Sequence, residues 1–289
     1  MESTHGTASR WGNRLIKRLR SLRPTAVFRD LWVNRILIFQ FSRRSIQARH
    51  KGSFLGAGWT VLNPLLLMCL YSFVFGVIFN GRYGAFEDET ALDYALGVFL
   101  SLTLFQLLAE VFGVSITLIV SNGNLVKKVV LPLQVLPVAA VGAAVYHFLI
   151  GLILVFVAVV VFEGVPGPEA LFFPLLIFPV VFLALGVAWF FSALGVYIRD
   201  LGQLVQFLSL TLMYSSAIFY SQQMVPEGIW QVLRWNPLVH IVEQARGVAL
   251  WGRPLELGPY LYALGTSLLV FYGGFYFFRK LKRGFADVL

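Results

Sequence analysis

Long apolar runs separated by short polar breaks dominate the chain, and six of them reach the roughly 20 residues that a helix needs to cross the hydrocarbon core of a bilayer. They fall at about Thr60–Phe79, Leu92–Val120, Leu136–Phe162, Ala170–Tyr197, Leu201–Tyr220 and Pro259–Phe278. Backbone polar groups in lipid must be satisfied within the segment, so these runs predict helices. Ahead of them, Trp11, Leu15, Leu19, Leu22 and Ala26 recur at a helical period. Arg10, Arg14, Lys17, Arg20 and Arg23 fill the opposite side. That pattern predicts an amphipathic helix lying in the membrane surface, with a disordered basic leader as the alternative. Phe28 to Phe41 is more apolar but carries Arg29, Asp30, Asn34 and Arg35, which suits a second interfacial helix better than a seventh crossing. Between the fifth and sixth runs lie two short pieces, Pro226–Trp235 and Pro237–Leu250, each opened by a proline suited to a first helical turn. Each is too short to span. They predict a pair of re-entrant helices, with an ordinary surface loop as the competing reading. The predicted fold is therefore an all-α integral membrane protein: an interfacial region over residues 1–58 and a six-helix transmembrane domain over 59–289.

Charge orients this arrangement. Of the 289 residues 58% are hydrophobic and 13% charged, yet the net charge is +9. Lys and Arg favour the cytoplasmic side. With an inside amino terminus, the inner segments hold 19 of the 23 basic residues, leaving Arg82, Arg234, Arg246 and Arg253 outside. Glu87, Asp88, Glu89, Asp93, Glu163, Glu169, Glu227, Glu243 and Glu256 all fall outside. Both termini are expected in the cytoplasm, and the arginine-rich first fifty residues lack the apolar core of a cleaved signal peptide.

The sequence offers no catalytic constellation. It lacks G-x-x-x-x-G-K-[ST], HExxH, CxxC and an EF-hand loop, so it cannot cradle nucleotide phosphates in the usual P-loop manner. The one cysteine, Cys69, excludes an internal disulfide, and His5, His50, His147 and His240 are far apart and read as polar contacts. Polar residues within the apolar runs are more informative. Gln106, Glu110, Gly113 and Thr117 share one face of the second span. A carboxylate at that depth faces a cavity or a partner, bonds within the bundle, or lies near enough to a surface to hydrate. Gln203, Gln206 and Ser209 form a second stripe, on the fifth span. Tyr71, Phe75 and Phe79 make an aromatic ridge on the first, which either packs against a helix or lines a path on which sugars stack their apolar faces. Trp59, Trp230, Trp235 and Trp251 fit interfacial positions.

Three segments carry a family resemblance. Ser53-Phe54-Leu55-Gly56 with Trp59, Leu62 and Pro64, running to Val74-Phe75-Gly76 and Phe79, resembles the start of the first span of type-2 ABC export permeases. The branch is the one that exports O-antigen, capsular polysaccharide or teichoic acid. Asn124 to Val129 with Pro132 and Leu136-Pro137 resembles that family's cytoplasmic coupling segment, and Asn236-Pro237-Leu238 with Glu243 and Arg246 its outer segment. The likeness extends over about residues 28–283 and implies a homodimer in the bacterial cytoplasmic (inner) membrane, working with two copies of a separate ATPase that binds ATP and Mg. This chain would need no cofactor and no nucleic acid. The substrate would be a glycan on a polyprenyl diphosphate or other lipid carrier. By the same resemblance Asn122, Asn124, Leu125, Lys127 and Lys128 dock the ATPase, and the segment from Arg43 to Ser53 gates the entrance. There Arg43, Arg44, Arg49 and Lys51 can pair with diphosphate oxygens. Tyr71, Phe75, Phe79, Gln106 and Glu110 are the candidates for the path, and Trp230, Trp235, Asn236, Pro237, Glu243 and Arg246 for the outer exit. Glu110 matches no motif of the family. An exporter of small lipids or drugs would share the architecture. A membrane-embedded acyl- or glycosyltransferase would need catalytic groups clustered at one face.

Overall fold

The computed structural model describes residues 24–49, 52–128, 131–198 and 200–289, and their regular structure is helical. The amphipathic helix expected from Trp11 lies almost wholly outside the described residues, as do Lys51 and Arg199. In chain order the helices are α1 (Pro24–Val33), α2 (Arg35–Arg49), α3 (Trp59–Tyr71, continuing as a π-helical stretch Ser72–Ile78), α4 (Ala91–Ser121), α5 (Gly123–Lys128) and α6 (Val135–Phe162). Then come α7 (Phe173–Leu194), α8 (Leu201–Ser215), α9 (Glu227–Leu233), α10 (Pro237–Ala249), α11 (Leu257–Leu281) and α12 (Phe285–Val288).

Among the described residues five helical stretches are long and apolar enough to cross a membrane: Gly56–Ile78, Ala91–Ser121, Val135–Phe162, Pro168–Leu194 and Leu257–Val288. The run predicted at Leu201–Tyr220 behaves differently. Its helix α8 stops at Ser215 after 15 residues, about 22 Å at 1.5 Å per residue and short of a roughly 30 Å core. The cause is local. Ser216 turns its hydroxyl back to donate to the Leu212 carbonyl (2.5 Å), and Ala217 takes the left-handed φ of +54° that no helix contains.

Helix α4 is the centre of the bundle: 56% of its most apolar stretch is buried, against 6% for that of the first span. Its start is fixed by a capping box in which Thr90 and Asp93 each satisfy the other's backbone N–H. Lipid supplies no hydrophobic drive between helices, so they associate through close backbone approach and dense contact. Helices α7 and α11 show this best. A Cβ on Gly274 would overlap the Gly186 backbone, and one on Gly186 the backbone of Val270 and Phe271. Trp189 fills the space beside them, fully buried, edge-on to Phe271 and Phe275 (5.2 and 4.9 Å) and donating Nε1–H to the Gln134 carbonyl (3.1 Å). Where a surface-lying helix was expected over Phe28–Phe41, the chain forms two helices, and the second packs on α6. Ser42 of α2 is buried and donates to the Ala139 carbonyl (3.0 Å) at a point where only Gly142 leaves room.

Candidate functional site

At one end of the bundle α5 follows Asn122, whose Nδ2 donates to the Leu118 carbonyl (2.8 Å) and closes α4. Leu125 is half-buried and its N–H returns to the Asn122 carbonyl (2.9 Å), leaving Asn124 and Lys127 exposed on the far side. The side chain of Lys128 lies outside the described residues. Helix α12 packs beside α5, and Lys282 donates to Gln134 Oε1 (2.9 Å), so the basic carboxyl-terminal turn and the α5 segment share this end.

Because α2 runs along α6, its last residue reaches the polar face of α4. Arg49 Nη1 lies 2.5 Å from Glu110 Oε1, and His147 Nδ1 of α6 lies 2.8 Å from the same oxygen. Nδ1 is also 2.9 Å from Arg49 Nη1. One ring nitrogen cannot serve both neighbours. The carboxylate only accepts, so Nδ1 carries a proton and donates to Glu110. Arg49 and Glu110, separate candidates in the sequence, therefore form one triad with His147. By sequence alone His147 is only a polar contact, and its one signal is an imidazole in the middle of an apolar run. The triad stands at the wall of a cavity of about 370 Å³ that Gln106, Trp59, Asn63 and Pro64 also line. Gln106, Gly113 and Thr117 are all exposed, so among the described residues the polar stripe of α4 is covered only at Glu110. Arg43 and Arg44 are exposed on α2. Ser53 has a local part: its Oγ accepts from the Gly56 N–H (3.0 Å) in the turn that leads to α3.

The aromatic ridge is continuous. Tyr71 stacks on Phe75 (6.0 Å) and Phe75 on Phe79 (5.8 Å), and the segment after α8 adds Phe219, 4.6 Å from Phe75. Phe79, at 68% exposure, is open.

At the opposite end the chain after α8 is unwound, and its carbonyls find partners from three directions. Tyr83 donates to Ile218 (2.5 Å), Tyr94 to Phe219 (2.9 Å) and Arg246 to Ala217 (2.6 Å). Non-helical backbone within a membrane protein requires such cover. Arg246 is fully buried, its guanidinium 4.1 Å from the Tyr83 ring and 5.5 Å from that of Trp251, and so holds the interior rather than forming an exit surface. Glu89 is buried too, accepting the backbone N–H groups of Tyr83, Gly84 and Ala85 (2.7, 2.7 and 3.1 Å). Burial pushes the Tyr83 phenol up, against the opposing pull of Arg246. Asn236 caps α10, accepting from Leu238 N (3.0 Å) and donating to Ser216 Oγ (3.0 Å), with Pro237 in the first turn. Glu243 accepts from Gln222 N (3.2 Å). Trp230 is half-buried on the wall of a cavity of about 830 Å³, whereas Trp235 is exposed.

Comparison with known proteins agrees with this arrangement. Residues 36–250 match the ABC-2 type transporter family. The chain is 28% identical to an O-antigen export system permease protein RfbA of Klebsiella pneumoniae over 255 residues, 88% of this chain and 95% of the relative. It is 23% identical to the RfbA permease of Myxococcus xanthus over 90% of this chain and 97% of that protein. The polysialic acid transport protein KpsM of Escherichia coli is 23% identical over 76% of this chain and 83% of its own length. Together with the helical membrane bundle, the match over most of its length means that the chain belongs to the ABC-2 type transporter family.

Proposed function

We propose that this chain is the membrane-spanning permease subunit of an ATP-driven exporter that carries a lipid-linked, O-antigen-like polysaccharide across the bacterial cytoplasmic membrane. It works as a homodimer with two copies of a separate ATPase, which binds ATP and Mg. The observation that carries this reading is the Arg49–Glu110–His147 triad at the wall of a cavity part-way along the polar stripe of α4, between Gln106 and Gly113. A cation at such a mouth receives the diphosphate of a lipid carrier by charge-assisted hydrogen bonds. The hydroxyl-rich glycan then follows a polar face that lipid would not stabilise, and the ridge of Tyr71, Phe75, Phe79 and Phe219 offers rings to its apolar faces. The names of the relatives support polysaccharide over a small lipid or drug.

In this reading both termini are cytoplasmic. Residues 1–58 form an interfacial region and residues 59–289 the transmembrane domain. Helix α8 with its unwound extension makes the sixth crossing, and α9 and α10 re-enter from outside. Asn124 and Lys127 meet the ATPase, whose motion reaches the bundle centre through Asn122 at the end of α4. The second copy covers the exposed faces of α3 and α4.

The test is genetic and chemical. Deleting the gene in its bacterium should remove surface polysaccharide while lipid-linked glycan accumulates inside, and restoring the chain with its ATPase should reverse both. Normal surface glycan in the deletion strain would overturn the reading.

A further inference from the structure

The larger cavity lies at the end of the bundle remote from the basic carboxyl terminus, between the Tyr83–Ala85 loop and helices α9 and α10. We propose that it is a saccharide-binding site that holds the leading sugars of the exported chain; this rests on the export reading above. Its volume of about 830 Å³ falls within the roughly 300–1,000 Å³ typical of ligand sites.

The lining decides the ligand class. Gln222, Gln223, Gln231 and Gln244 offer neutral amides, each both donor and acceptor, and Glu243 adds a carboxylate acceptor. Sugar hydroxyls have the same dual character and pair with such groups in networks. Trp230, on the same wall, presents an indole on which the apolar C–H face of a pyranose can lie. An apolar drug would leave the amides unpaired. A phosphate would meet three carboxylates, those of Glu227, Glu243 and Glu256, against two guanidiniums. One of those, Arg253, is already engaged: it donates to the Ala85 carbonyl (2.9 Å) and lies over the Trp251 ring (5.0 Å).

The floor is rigid. Arg246, buried between Tyr83 and Trp251, ties the unwound segment to α10. Gln244 Oε1 accepts from Glu256 N (2.9 Å), and Glu243 holds Gln222 N, so the polar walls are anchored before a ligand arrives. A site built this way can retain the end of an emerging glycan between ATPase strokes.

The experiment uses the chain with its ATPase in lipid nanodiscs. The probe is fluorescently labelled oligosaccharide released by mild acid from the same bacterium's surface polysaccharide, and binding is read by polarisation. Saturable binding is expected, weakened at least about tenfold by Trp230→Ala and by Gln231→Ala but within about threefold of wild type for Trp230→Phe, which keeps a ring. No binding to the wild-type complex, or binding by Trp230→Ala within about twofold of wild type, overturns the proposal. If the wild-type chain restores surface polysaccharide to the deletion strain yet does not bind the probe, the site assignment alone falls. If it restores none, the export reading falls and takes this one with it.

Discussion

Arg246 Nη1 lies 2.6 Å from the carbonyl oxygen of Ala217, joining the buried face of α10 to the point where the chain leaves α8. Among the described residues no carboxylate forms an ion pair with this guanidinium. Its charge is met by carbonyl dipoles, by the Tyr83 and Trp251 rings and, at longer range, by the Glu243 carboxylate. The left-handed φ of Ala217, itself a strain of about 1–3 kcal/mol, persists because this bond and its neighbours hold it.

Replacing Arg246 by Met should therefore lower stability by about 1–3 kcal/mol, the range for leaving a buried acceptor without its donor. Arg246→Lys should recover little, since an ammonium lacks the planar fork that both lies against Tyr83 and reaches the Ala217 carbonyl. Thermal unfolding in detergent checks both. Wild-type stability in either variant would show the bond to be dispensable.

The α7–α11 contact gives a prediction of opposite kind. Gly186 and Gly274 meet backbone to backbone, and an added methyl has nowhere to go. Gly274→Ala should destabilise the chain by about 1–3 kcal/mol, the usual range for overpacking. Gly273→Ala is its control, because nothing lies within 4 Å of a Cβ built there. The two melting curves should separate, with the Gly273 variant close to wild type.

Much of this was legible from the chain alone. The apolar runs are long and nearly uninterrupted, so α3, α4, α6, α7 and α11 came out within a few residues of their ends. Pro237 marks the start of a short helix in the sequence, and α10 begins there, because the fit of proline to a first turn is local chemistry. The early end of α8 was not visible. It depends on the carbonyls of Ala217, Ile218 and Phe219 being held by Arg246, Tyr83 and Tyr94, residues more than twenty positions away. The same distance hid the joining of Arg49 with Glu110, which requires α2 to lie along α6 through the Ser42–Gly142 contact. Arg246 appeared as an outer charge because sign counting cannot tell a surface arginine from one that satisfies buried carbonyls.

Glu163, just past the end of α6, sits beside Asp93. Desolvation first, then the hydrogen bond and charge of Asp93, push its carboxyl up from 4.5 to about 7. A carboxyl whose folded value is raised stabilises the fold fully below its unfolded value and loses that contribution as pH rises through the folded one. Stability should thus decline between about pH 4.5 and 7 from this pair. Comparing melting temperatures at pH 5 and 8 for wild type and Glu163→Gln isolates the effect. The amide variant should lose less than wild type over that interval, and parallel losses would remove Glu163 as the cause.

The Arg49–Glu110 pair separates transport from folding. Arg49 is about half exposed, its side chain at 48%, and ion pairs of that exposure contribute roughly 0–1 kcal/mol. Glu110 also keeps His147 as a partner when Arg49 is removed. Arg49→Gln, alone or combined with Lys51→Gln, should therefore leave protein abundance and melting temperature near wild type. If the guanidinium receives the carrier's diphosphate, surface polysaccharide should nonetheless fall at least about tenfold in the double variant. Glu110→Gln leaves Arg49 without its carboxylate but keeps the shape of the site, so it tests whether the pair must be able to open. An ion pair that merely anchors α2 predicts equal export defects for Arg49→Gln and Glu110→Gln. A diphosphate-receiving arginine predicts a severe defect for the first and a mild one for the second. Undiminished export in the double variant, at normal protein levels, would take the entrance role away from Arg49.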